Sequence, residues 1–196
     1  MMSNVNFKNI REYSHEEFVN LVKNLSEDKL LELSANYGGY PVLFRMALDE
    51  ELSHIPFIQT GASVIVRDEH GRILLQQRSD NGLWGLPGGC QELGERLEAT
   101  AVRELHEEAG IRVREDDLIL INTLSGEARK RVYSNGDIVY NNTSLYLVDI
   151  NSKDLAIKMN AESIKLEFFG IDNLPENMHD GDMVSEYINY ISGEKS

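Results

Sequence analysis

The sequence predicts an α+β fold. Apolar runs with strand spacing recur from Gln59 onward. One segment with helical spacing, "RLEATAVRELHEEAG", interrupts them, and a second apolar-faced helix, "DMVSEYINYI", closes the chain. The first 55 residues have a different, wholly helical texture. The chain therefore divides into a small helical N-terminal extension, residues 1–55, and an α+β domain, residues 56–196.

In the extension, "SHEE" at Ser14–Glu17 has capping-box spacing, and Phe18, Leu21, Val22 and Leu25 follow at helical intervals. A second helix is expected from Ser26 to "YGGYP" and a third around Leu43–Leu52. Their apolar faces need a partner, either the following domain or a second subunit, so a homodimer through the extension is one expected arrangement.

"ASVIV" and "RILLQQR", joined by "RDEHG", read as the two strands of a hairpin. "LWGLPGGCQELGE" reads as loop. The central helix ends at Gly110, and "LILINTLSG" is the next strand. "ARKRVY" and "IVYNNTSLYLVDI" form a second hairpin around Asn135-Gly136, a strong turn signal. "IKLEFFGI" is a last strand, and Met183, Val184, Tyr187, Ile188 and Ile191 share one face of the closing helix.

The 196 residues carry 41% hydrophobic content, enough for a core, and a net charge of −14. That charge argues against nonspecific nucleic-acid contact, which depends on Lys and Arg neutralising phosphates. No apolar run reaches the length of a membrane span. One cysteine, Cys90, and a polar start fit a reducing, cytoplasmic setting.

The central helix poses a chemical question. Glu104, Glu107 and Glu108 lie within little more than one turn, where like charges three or four apart repel by roughly 0.2–0.5 kcal/mol a pair. They also stand near the negative end of the helix dipole. Glu104 and Glu108 fall on or beside the apolar stripe of Leu97, Ala101 and Leu105, with Glu107 adjacent. Charges there must be paired or must hold a metal. Arg96 and Arg103 are too few to pair five glutamates on and around this helix, so a hard divalent cation, Mg²⁺ above all, suits the oxygens.

"GCQELGERLEATAVRELHEEAGI", Gly89–Ile111, matches G-x5-E-x7-R-E-U-x-E-E-x-G-U at every fixed position, U being a bulky apolar residue. The chain thus resembles the Nudix hydrolases from about Gln59 to Ile191. The resemblance implies an α/β/α sandwich around a mixed sheet, with residues 56–196 as a Nudix hydrolase domain. It also implies hydrolysis of a nucleoside diphosphate linked to another moiety, such as ADP-ribose or a nucleotide sugar. Carried over by position, Glu104, Glu107, Glu108 and the Gly88 carbonyl hold Mg²⁺ or Mn²⁺. Arg103 orients the glutamates, Glu95 is its acidic partner, and Gly89 and Gly110 are structural. Gly88 and Gly89 also let backbone approach an ion closely.

The general base is either Glu104 or a carboxylate after the box, Glu162 or Glu167. Arg78, at a strand end, could meet a phosphate or be solvated. Alternation places Arg129 and Arg131 on one face, as a phosphate grip or as charges guarding an edge strand. Trp84 could stack on a base or simply pack. Cys90 and His106 carry no expected role. The proline that ADP-ribose subfamilies place about fifteen residues after the box is replaced here by "LSGEAR". The tyrosine of dinucleoside-polyphosphate subfamilies has no counterpart nearer than Tyr133, and the NADH-type motif is missing. Alternatives to the X-linked substrate are an RNA 5′ end, a nucleoside triphosphate, or a non-catalytic ligand-sensing role.

Overall fold

The structure is a computed structural model. It describes residues 56–132, 138–151 and 162–193, together with Ser14, Glu16, Glu17, Asn20, Asn24, Lys153, Lys158 and Asn160. The chain divides into two compact units, one of Met1–Ile58, Glu92–Gly94 and Lys130–Tyr140, the other of Gln59–Gln91, Glu95–Arg129 and Asn141–Ser196.

Of the extension, the described residues hold the capping box. Glu17 N donates to Ser14 Oγ, and Ser14 N donates to Glu17 Oε2 at 2.9 Å. Phe18, Leu21, Val22, Leu25 and the two later helices expected there lie outside the described residues, as does the Asn135-Gly136 turn.

Strand β1 (Phe57–Arg67) turns into β2 (Ile73–Arg78) with Arg67 opposite Ile73, the expected hairpin. Asp68 makes the turn. Its carboxylate accepts from His70 N at 3.0 Å, Arg72 N at 2.8 Å and Arg72 Nε at 2.8 Å. Burial alone would raise the Asp68 carboxyl, but these donors outweigh it and hold the group below the usual carboxylate range. Asp68→Ala leaves three donors without their acceptor and is expected to cost about 2–3 kcal/mol, read from urea unfolding. An unchanged midpoint would show that water replaces the carboxylate.

The segment expected as loop contains two short strands, β3 (Trp84–Gly85) and β4 (Gly88–Cys90). Long-range pairing makes them strands, not propensity: β3 joins β2, and β4 joins β1 with Ala62 opposite Gly89. The approach needs glycine, since a Cβ on Gly61 would overlap the Gly89 carbonyl oxygen.

Helix α1 (Leu97–Ala109) follows and ends as expected at Gly110, whose φ of 71° lets its N–H close on the His106 carbonyl. Next come β5 (Ile119–Leu124), β6 (Lys130–Val132), β7 (Ile138–Asp149) and β8 (Ser163–Phe169). Helix α2 (Gly181–Ser192) closes the chain. The strand order is β3-β2-β1-β7-β5, with β4 on β1, β6 on β7 and β8 on β2. The registered pairs are antiparallel, and a parallel bridge between Trp84 and Met178 makes the sheet mixed.

Alternation along the strands builds two cores. Ala62, Val64, Val66, Leu74, Tyr146 and Val148 face Ala101, Leu105 and Ala109 of α1. Ile65, Ile73, Leu75, Leu145 and Leu147 face Met183, Val184 and Tyr187 of α2. The result is helix, sheet, helix: the α+β sandwich the sequence predicts. No helix among the described residues is long and apolar enough to cross a membrane.

Candidate active site

The apolar stripe that seats α1 on the sheet also sinks part of its acidic face. Glu108 is 3% exposed. The Glu104 side chain is 14% exposed and that of Glu107 is 54% exposed. Arg103 organises the group. Its Nε donates to Glu95 Oε1 at 2.8 Å and its Nη2 to Glu95 Oε2 at 3.1 Å, a fork-on-fork pair. Nη1 donates to Glu104 Oε1 at 2.8 Å and to Glu107 Oε2 at 3.3 Å, and Nη2 reaches the Cys90 carbonyl at 2.9 Å. Glu95 also accepts from Thr100 Oγ1 at 2.8 Å, which ties this cluster to the first turn of α1.

Among the described residues no arginine hydrogen-bonds Glu108. Its Oε2 accepts from Gly88 N at 2.8 Å. Burial pushes its carboxyl up to about 7, and the charges of Glu104 and Glu162 push the same way, against the pull of the Gly88 N–H and the Gln76 amide. Burial also raises Glu104, partly offset by Arg103 and reinforced by Glu107 and Glu162. Protein groups alone thus leave the pair strained in its charged form.

These residues fit a hard cation. The donors are carboxylate oxygens whose charged form burial disfavours, the situation a divalent ion reverses. The glycines line a cradle: a Cβ on Gly89 would strike the Glu104 carboxylate, with Cδ 2.6 Å away. One on Gly88 would strike the Ala62 carbonyl oxygen and, at 2.7 Å, Ser63 Cα. Among the described residues no three acidic, histidine or cysteine side chains already converge as a preset metal cluster; the Arg103 guanidinium bridges Glu104 and Glu107. Gly88→Ala is expected to destabilise the fold by about 2–4 kcal/mol, because both obstacles are backbone. A urea midpoint equal to wild type would mean that β4 shifts freely.

Three neighbouring residues pin this loop to three different elements. Leu86 N donates to Asp180 at the start of α2 (3.1 Å), the Pro87 carbonyl accepts from Val64 of β1 (2.9 Å), and Gly88 N donates to Glu108 of α1.

The remaining sequence candidates separate. Glu162 is close enough for its charge to act on both Glu104 and Glu108. Glu167 does not: Leu166 and Phe168 of β8 pack on the α1 side, so Glu167 faces the other way and pairs with Lys165. Arg78 binds Asp80 at 3.1 Å and also feels Glu108 and Asp180; although burial works against its charge, these partners hold it above its ordinary value. Arg129 is corrected. It ends a 3-10 turn, Glu127–Arg129, and so does not share a strand face with Arg131. Its side chain is buried, ion-paired with Asp182 of α2 and 3.3 Å from Thr143 Oγ1. Arg131, in β6, donates to the Lys130 carbonyl at 3.1 Å. Trp84 follows the packing alternative: it is 8% exposed and lies edge-on to Phe169, ring centroids 4.9 Å apart.

Sequence reasoning missed Gln76 and Asp180. One of the two amides in "LLQQR" and one of the two aspartates in "HDGDM" stand out only when their long-range partners are known.

The profile of the NUDIX domain matches residues 58–187. The chain belongs to the Nudix family. A MutT-like protein of Streptomyces ambofaciens is 40% identical over 87 residues, 43% of this chain and 56% of that protein, so the match spans little more than half of that relative's length. An ADP-ribose pyrophosphatase of Methanocaldococcus jannaschii is 28% identical over 131 residues, 64% of this Nudix chain and 71% of its own. Among solved structures, a MutT protein from Methanosarcina mazei aligns at TM-score 0.56 and 20% identity, covering 71% of this chain and 96% of that one. The NUDIX domain of Shewanella oneidensis NrtR, complexed with ADP-ribose, aligns at TM-score 0.56 and 18% identity, covering 85% and 99%. These two structures share the Nudix fold.

Proposed function

We propose that this Nudix protein is a divalent-cation-dependent hydrolase of phosphoric anhydrides, acting on a nucleoside diphosphate linked to a second moiety. One observation carries the reading: half-buried Glu104 and buried Glu108, with Glu107 beside them, border a glycine cradle that a side chain would fill. Glu104, Glu107 and Glu108, with the Gly88 carbonyl, would hold Mg²⁺ or Mn²⁺. Bound there, the ion supplies charge neutralisation for the diphosphate and a more acidic water.

The chain's own residues supply the rest. Arg103 fixes the Glu104 and Glu107 rotamers, and Gly88 N fixes Glu108. A carboxylate near the water would take its proton, and Glu104 and Glu162 are the two candidates. Arg78, already near Glu108, can pair with a phosphate oxygen. Glu167, Arg129 and Trp84 take no part in this reading.

ADP-ribose heads the substrates to test because of the activity named for the Methanocaldococcus relative. The test is Mg²⁺- or Mn²⁺-dependent release of monophosphate from ADP-ribose, nucleotide sugars, CDP-alcohols, NADH, dinucleoside polyphosphates and nucleoside triphosphates. Metal-dependent turnover of one class is expected, and it names the substrate. Silence across the panel despite metal binding would turn the reading towards ligand sensing.

A further inference from the structure

We propose that Asp180 is a positioning residue for the metal cradle, acting from the α2 side of the sheet through Leu86, Pro87 and Gly88. This role rests on the reading above, in which Glu108 and the Gly88 carbonyl hold the cation.

Asp180 is the N-cap residue of α2, where an aspartate side chain ordinarily accepts from the first N–H groups of its own helix. It makes no such bond. Its buried carboxylate turns instead to Leu86, 94 residues earlier, and accepts that residue's N–H through Oδ2 at 3.1 Å. Two features aim it there. Trp84 N donates to the Asn177 carbonyl at 3.0 Å and His179 N to the Trp84 carbonyl at 2.6 Å, so the chain entering α2 runs beside β3. Gly85 leaves the space, since a Cβ on it would stand 2.6 Å from Oδ2.

What hangs from Leu86 is the cradle itself. Pro87 follows, its φ fixed by the ring, and its carbonyl accepts from Val64 N at 2.9 Å. Gly88 is next, with its N–H on Glu108 Oε2 at 2.8 Å and its carbonyl turned to account as a ligand in the reading above. A single stiff residue therefore separates the bond to Asp180 from the bond to Glu108. The Leu86 N–H is a buried donor, and without its acceptor it must move to find another. Such a movement passes directly to the Gly88 peptide.

Partners that orient metal ligands are worth roughly 10–100-fold in metal affinity. The probe is Mn²⁺ alone, titrated into the full-length chain, with urea midpoints measured alongside. Asp180→Ala is expected to weaken Mn²⁺ binding about tenfold, and Asp180→Asn, which keeps an acceptor oxygen, to restore most of it. Gly85→Ala attacks the same bond from the other side and should also weaken binding. In an Asp180→Ala background it should add nothing, because the oxygen its Cβ would meet is gone. Val184→Ala, which shortens a buried α2 side chain, should lower the midpoint and leave Mn²⁺ affinity unchanged. An Asp180→Ala affinity within about twofold of wild type, losses from Asp180→Ala and Gly85→Ala that simply add, or an equal loss in Val184→Ala would overturn the proposal. If Asp180→Ala fails to fold, Gly85→Ala decides: a weakened Mn²⁺ affinity supports the proposal and an unchanged one overturns it. Failure of the parent reading looks different, since Glu107→Gln would then bind Mn²⁺ as the wild type does.

Discussion

Glu107→Gln is expected to lower kcat by about 10³-fold or more, with the fold unchanged. Several kcal/mol of transition-state stabilisation are at stake when a metal ligand is neutralised. Glu107 is the clean choice because its side chain is 54% exposed and contributes little to packing. Its contact with Arg103, at 3.3 Å, is the longest of that guanidinium's bonds, and Arg103 keeps Glu95 and Glu104 without it. The measurement pairs initial rates on the substrate found with Mn²⁺ titration. Loss of turnover together with loss of Mn²⁺ affinity assigns Glu107 to the metal. Retained turnover would remove it from the site.

The metal-free chain should lose stability as pH rises through neutrality. The Glu108 carboxyl moves from an ordinary 4.5 to about 7 on folding, chiefly through burial. A raised acid binds its proton more tightly in the native state. Its contribution is therefore complete below about 4.5 and is lost as pH climbs past about 7, of order 3 kcal/mol in all. Glu104 shifts in the same direction. Asp68 has the opposite sign and weakens the fold only on the acid side.

Urea midpoints in EDTA at pH 5, 6, 7 and 8 read this directly. Glu108→Gln should flatten the decline and be more stable than wild type at pH 8, while losing activity. Mg²⁺ should raise the wild-type midpoint more at pH 8 than at pH 5, because binding requires the carboxylates deprotonated. Parallel pH curves for wild type and Glu108→Gln would show that Glu108 is relieved by something other than a proton or a metal. Neutralising this one side chain is thus expected to trade function for stability.

Strands β1, β2 and β7 are legible in the sequence because each alternates two buried faces. Helix α1 is legible because its apolar stripe ends at Gly110, and that stripe separated half-buried Glu104 and buried Glu108 from exposed His106. What could not be read was set by distant partners. Gly88–Cys90 has no strand propensity and becomes a strand only beside Gly61–Ser63. Arg129 looks like part of a strand with Arg131, yet a 3-10 turn intervenes and Asp182, 53 residues away, draws it inward. Glu162 and Glu167 are equivalent candidates until the register of β8 on β2 sets Glu167 opposite Leu75, on the α2 side of the sheet. Gln76 sits inside an apolar strand run, and its partner Ser163 is 87 residues away.

The loop of Leu86, Pro87 and Gly88 has one more consequence. Its three consecutive residues are fastened to α2, β1 and α1 in turn. It therefore behaves as a rivet through the layers, not as a flap. The Leu86 and Gly88 amides should exchange with solvent only when large parts of the domain open together, in the slowest class of the protein. A disturbance at Asp180, on the far side of the sheet, should in turn loosen the backbone beneath Glu108. The two helices that never share a core are linked at this point.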